Sequence, residues 1–162
     1  MGNTIVKSQT EQAKIFLEKT VEQLSTYLNE TTITSLLDEH TSEKDYFKEV
    51  LATLRKLTVY CEEGLDACQV ILKNDPFRKS AAEQTLYRIY HQCIEEFFNP
   101  KSDIWYENSR SAYTGKNAII FRQPTPHSLN ELIVSLEASF QTIREELDYY
   151  ETDYRTKIIQ SK

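Results

Sequence analysis

The stretch Asp45–Leu72, DYFKEVLATLRKLTVYCEEGLDACQVIL, decides the fold. Apolar side chains recur at Phe47, Val50, Leu54, Leu57, Cys61, Leu65, Cys68 and Leu72, always three or four residues apart. An α-helix turns once every 3.6 residues, so this spacing lines one helical face, whereas a half-buried strand would alternate by two. The pattern holds for about seven turns. Gly64 sits inside it, costs about 1 kcal/mol relative to Ala, and predicts a bend.

Working outward, Thr41-Ser42 followed by Glu43 and Asp45 is a helix start, since hydroxyls cap free N–H groups and acids suit the positive end of the dipole. Asn74-Asp75-Pro76 is a stop, with Asp75 expected to cap the next helix and Pro76 to occupy its first position. Upstream, Ala13, Leu17, Val21, Leu24 and Leu28 predict a first helix from about Thr4 to Glu30. Ile33, Leu36 and Leu37 suggest a short extra turn. Downstream, Ala82, Leu86, Ile89 with Tyr90, Cys93 and Phe97 predict a third, shorter helix ending at Asn99-Pro100. Ser128 and Glu131 form a capping-box pattern. They open a fourth helix striped by Leu129, Leu132, Leu136, Phe140, Ile143, Leu147, Tyr150, Tyr154 and Ile158.

From Lys101 to His127 the helical period disappears. Trp105, Tyr106, Tyr113, Ile119, Ile120 and Phe121 favour strands, and Thr114-Gly115-Lys116-Asn117 is a turn signal. The expected fold is therefore mainly all-α: one domain, residues 1–162, a four-helix up-down-up-down bundle with a small β-hairpin between helices 3 and 4. The hairpin would cover core left open beside the short third helix.

Composition agrees with one globular domain. The chain has 162 residues, 40% hydrophobic and 27% charged, with only three Gly and four Pro. Its net charge of −6 repels nucleic acid and anionic membranes on average. No run approaches the apolar length of a membrane span, and the N-terminus lacks the basic and apolar regions of a secretory signal. Val6 stands where a myristoylation pattern needs Ser or Thr. Cys61, Cys68 and Cys93 fall on apolar stripes and read as reduced core residues of a cytoplasmic protein.

Chemical motifs are sparse. The residues three before His40, His91 and His127 are Leu37, Arg88 and Pro124, so the Glu-x-x-His pairs of di-iron bundles are absent, and no Cys-x-x-Cys occurs. Neither a metal nor a cofactor is expected. The adjacent pairs Glu62-Glu63, Glu95-Glu96 and Glu145-Glu146 diverge on a helix and read as solvated surface. The hairpin segment carries four basic side chains against two acidic ones in a chain that is acidic overall. It is not a P-loop, for the first glycine of that motif is missing and Asn117 stands at its final Ser/Thr position. A binding surface for a protein or a small anionic ligand is expected here. Arg110, Lys116 and Arg122 would supply charge; Ser109, Ser111, Thr114 and Asn117 hydrogen bonds; and Trp105 or Tyr113 an aromatic anchor. A homo-oligomer using a second apolar face of Phe16, Tyr46, Phe98 and Tyr149 is a further expectation.

The alternative is enzymatic. Arg122 and His127, just before the last helix, are similar to the Arg-x4–6-His pattern of HEPN-type ribonucleases, all-helical domains whose pair acts on RNA. Pro124 and Pro126 lie between the two here, and an extended linker does not align side chains as a helical turn does.

Over nearly its full length the chain resembles the YpuI-like family of uncharacterised proteins from spore-forming Gram-positive bacteria. The resemblance rests on Met1-Gly2-Asn3 with Val6-Lys7-Ser8-Gln9-Thr10, and on Ser109 to Asn117. It implies a bacterial cytoplasmic setting and no catalytic residues.

Overall fold

The computed structural model describes residues 2–39, 43–108 and 117–161. It is mainly helical, with one small antiparallel hairpin. Helix α1 spans Asn3–Glu30, α2 Ile33–Glu39 and α3 Lys44–Lys73. The third helical stretch runs as α4 (Lys79–Ile89), a π-helical turn (Tyr90–Ile94) and α5 (Glu95–Phe98). Strands β1 (Trp105–Glu107) and β2 (Ile119–Phe121) follow, then α6 (His127–Glu146), a 3-10 turn (Asp148–Tyr150) and α7 (Asp153–Ser161).

Helix α1 packs along α3 and also touches α4 and α6. Contacts of Gln9 with Glu146 and of Gln23 with Ser135 show α1 and α6 running in opposite directions. Phe47, Val50, Leu54, Leu57, Cys61 and Cys68 of α3 are all buried as the periodicity predicts. Beyond Gly64 the buried row is Gly64, Cys68 and Ile71, while Leu65 and Leu72 are only half-buried. Gly64 itself explains the shift. A Cβ there would lie 3.0 Å from Ile89 Cγ1 and 3.2 Å from Leu17 Cδ1, so its missing side chain lets α1 and α4 approach, and α3 continues through it unbroken.

Several predicted boundaries move. Helix α4 begins at Lys79, and the Asp75–Pro76 peptide, expected at that start, is cis and lies before it. Helix α6 begins at His127, one residue before the predicted cap Ser128; its N-cap is Pro126, whose side chain has no acceptor, and Glu131 pairs with His127. A reciprocal cap occurs instead at α2. There the Ser35 N–H donates to Thr32 Oγ1 at 3.1 Å and the Thr32 N–H to Ser35 Oγ at 3.0 Å. The predicted fourth helix is divided by the 3-10 turn. The start signal Thr41-Ser42 lies outside the described residues.

The core is a single cluster. At its hairpin end Phe97 and Phe140 stack with centroids 4.0 Å apart, and Phe16 and Phe98 meet Phe140 edge-on. Phe16, Tyr46 and Phe98 are thus buried in this core and do not form a second apolar face. Among the described residues no helix is long and apolar enough to cross a membrane.

Candidate functional site

The hairpin is held from α6 by two charged residues seven positions apart, which places them on one side of the helix. Glu137, almost fully buried, accepts hydrogen bonds from the backbone N–H groups of Ala118 (3.2 Å) and Ile119 (3.3 Å). Two turns on, the Arg144 guanidinium donates to both oxygens of Glu107 at 2.8 and 2.7 Å, and also to Gln141 Oε1. Its carbon sits 3.7 Å above the centre of the Phe98 ring. Burial alone would lower the Arg144 pKa, but the hydrogen bonds and charge of Glu107 outweigh it and raise the pKa. From α3, the Tyr46 hydroxyl donates to Ile104 O at 2.6 Å, and Thr53 and Ser102 hydroxyls lie 2.8 Å apart.

Trp105 is fully buried and donates its indole N–H to Phe97 O at 2.6 Å. It packs the hairpin onto the core and cannot serve as the exposed aromatic anchor expected of it. Arg122 is half-exposed, pairs with Asp103 at 3.0 Å and lies 4.1 Å over the Tyr106 ring. Asn117 takes a left-handed backbone, φ 54°, at the entry to β2, a conformation that asparagine tolerates better than most residues. Ser109, Arg110, Ser111, Tyr113, Thr114 and Lys116 lie outside the described residues. His127 is highly exposed and bonded to Glu131 at 2.8 Å; among the described residues no hydrogen bond or ion pair joins it to Arg122.

Beside the Arg144–Glu107 pair lies a cavity of about 300 Å3 lined by Tyr90, Ile94, Glu95, Phe98, Asn99, Glu107, Arg144 and Glu151. Its inner wall is the π turn, where the Glu95 N–H bonds to Tyr90 O five residues back. Such wide turns are frequent at functional sites. Across it Cys93 and Ile94, then Phe97 and Phe98, are buried in adjacent pairs, a broader face than the stripe read from Cys93 and Phe97 alone. Tyr90 is 4% exposed, and its hydroxyl makes no hydrogen bond among the described residues. Burial first, then the Glu151 charge, push its pKa from 10.0 up to about 12. His91, on the same turn, reaches Glu95 Oε1 from Nδ1 (3.1 Å) and Tyr150 O from Nε2 (3.0 Å).

The sequence signals for this site were faint. Glu95 and Glu107 look like ordinary surface charges, and Arg144 precedes the acidic pair Glu145-Glu146. Only its position next to Ile143 on the apolar stripe hints that its stem is covered. A larger groove of about 430 Å3 between α1 and α6, near Ile15 and Ala138, offers mostly apolar surface. The cysteines behave as core residues. Burial pushes the Cys68 thiol up to about 12, and a hydrogen bond with Cys61 followed by burial holds Cys93 well above its usual value. That is the reverse of an activated thiolate. Among the described residues, no group of three or more His, Cys, Asp or Glu side chains is arranged to hold a metal ion.

Residues 10–156 match the model of a family described as "Protein of unknown function (DUF3907)". The chain belongs to the DUF3907 family. It is 50% identical over 151 residues to the uncharacterized protein YpuI of Bacillus subtilis, covering 93% of this chain and 84% of that protein. The resemblance of nearly the full length to YpuI-like proteins is therefore correct. No solved structure matches this DUF3907 chain.

Proposed function

We propose that this DUF3907 protein is a bacterial cytoplasmic binding module whose binding centre is the polar cavity between the π turn and α6. The carrying observation is Tyr90, a side chain packed almost wholly into the cavity wall, whose hydroxyl stays open to the cavity and makes no hydrogen bond among the described residues. A phenol held rigidly by its ring, with its donor and acceptor capacity open to a cavity, is a group a ligand could engage in place of water. The rigid surroundings support the reading: Arg144 and Glu107 lock each other bidentately, and α6 holds the hairpin at Glu137, so the walls are pre-organised.

In this reading the helical frame is an up-down-up-down arrangement of the four long helical stretches, closed at one end by the hairpin. The hairpin from Asp103 to Arg122 is a second contact surface, for a protein or an anion, through Arg110, Lys116, Arg122, Ser109, Ser111, Thr114, Asn117 and Tyr113. Trp105 leaves that set because it is buried.

The test is a thermal-shift screen of small polar compounds sorted by charge, run on wild type and on Asn99→Trp. Asn99 is exposed at the cavity rim, so the indole can block entry; the variant also loses the bond from the Glu107 N–H to Asn99 Oδ1 (3.3 Å), so its fold is checked first by circular dichroism. The expected result is a compound that raises the wild-type melting temperature and leaves the blocked variant unmoved. Equal responses from both proteins throughout the screen would refute a binding role for this cavity.

A further inference from the structure

Granted that the cavity is a binding site, we propose that its ligand is a small organic cation presenting a primary ammonium group. The cavity lining that holds Tyr90 carries the carboxylates of Glu95, Glu107 and Glu151 against the guanidinium of Arg144. That guanidinium is already matched by Glu107 on both carboxylate oxygens, so an anion would have to break a bidentate, largely buried pair to reach it. What stays open is acceptor capacity. The Glu151 carboxylate makes no hydrogen bond or ion pair among the described residues, and the Tyr90 oxygen has free lone pairs. Among the described residues the Glu95 carboxylate is engaged by His91 alone, at 3.1 Å.

An ammonium group has three donors and no acceptor, which matches this set. A quaternary ammonium would leave the hydroxyl unsatisfied, and a carboxylate would meet like charge. Ile94 and Phe98 supply apolar wall for a short carbon chain, and about 300 Å3 suits a compound of modest size. The cavity is therefore built for recognition of an amine by a phenol and one or two carboxylates, with the Arg144–Glu107 pair as a neutral wall.

The experiment is an NMR titration of the isotope-labelled full chain in amine-free buffer with three probes of equal length: diaminobutane, succinate and butanediol. Diaminobutane is expected to shift the amides of Tyr90, Glu95 and Glu151 along one saturable curve, with no such response to the other two. Tyr90→Phe and Glu151→Gln should each weaken it about tenfold, the loss of one hydrogen bond to a charged group. Glu151 is exposed and the Tyr90 hydroxyl makes no hydrogen bond among the described residues, so both variants are expected to fold, which circular dichroism verifies. Saturation by succinate or butanediol instead would overturn the ammonium assignment and leave the cavity standing as a binding site. Diamine binding of equal strength in both variants would overturn it too. A diamine response unchanged in Asn99→Trp would sink the assignment and the cavity reading together.

Discussion

Helix α3 and the stretch from α4 to α5 start from the same kind of apolar spacing and end differently. Helix α3 runs thirty residues without interruption, and its buried face is almost wholly apolar or small. The other stretch breaks into a π turn after eleven residues and gathers Tyr90, His91 and Glu95 beside Arg144 and Glu107. The first is what hydrophobic burial produces when nothing else is asked of a helix. The second keeps polar groups in partly buried places, which costs desolvation and is not explained by stability alone.

Truncating the shared core should do the largest damage and would not separate the two regions. Phe140→Ala removes the ring stacked on Phe97 and should cost about 3–5 kcal/mol in urea unfolding, comparable to the upper range for Leu54→Ala in α3. A cost under about 1 kcal/mol would mean that the aromatic end is not close-packed.

Breaking the ion pair separates them. Arg144→Met leaves the Glu107 carboxylate, 12% exposed, without its partner, and should cost about 2 kcal/mol after allowing for partial solvation. The double variant with Glu107→Leu should recover most of that loss. Hydrogen exchange should quicken at the hairpin amides while those of α3 stay unchanged, and uniform quickening would show that the two regions unfold as one.

Gly64→Ala sharpens the comparison from the α3 side. Helix propensity favours Ala by about 1 kcal/mol, but the new Cβ meets Ile89 at 3.0 Å and Leu17 at 3.2 Å. Crowding should win, for a net loss of about 1 kcal/mol in urea unfolding. A gain would show that α4 yields easily.

Much of this was legible in the chain and part was not. The apolar period located α1, α3 and α6, and Asn99-Pro100 marked the end of α5, because burial and backbone chemistry leave a repeating trace. The π turn leaves none: one wide turn does not alter the identity of Tyr90 or Cys93, only their angle. The Arg144–Glu107 pair joins residues 37 apart, and such a contact has no local signal. The shift of the buried row at Gly64 was hidden because the role of that glycine depends on Ile89 and Leu17, not on its own helix.

Alkaline pH should act on the polar region. The Tyr90 pKa is raised in the folded state, so the contribution is complete below its usual 10.0 and is lost as pH rises toward about 12. Burial raises Tyr150 in the same sense. Stability measured across this window should fall, and should fall less steeply in Tyr90→Phe than in wild type.

The smallest expected effect is the most direct test. If the Tyr90 hydroxyl is kept for a ligand and not for the fold, Tyr90→Phe at neutral pH should unfold in urea within about 0.5 kcal/mol of wild type, because no protein hydrogen bond is lost. A loss of about 2 kcal/mol or more would show that the hydroxyl has a structural partner, and the binding account of the cavity would lose its central support.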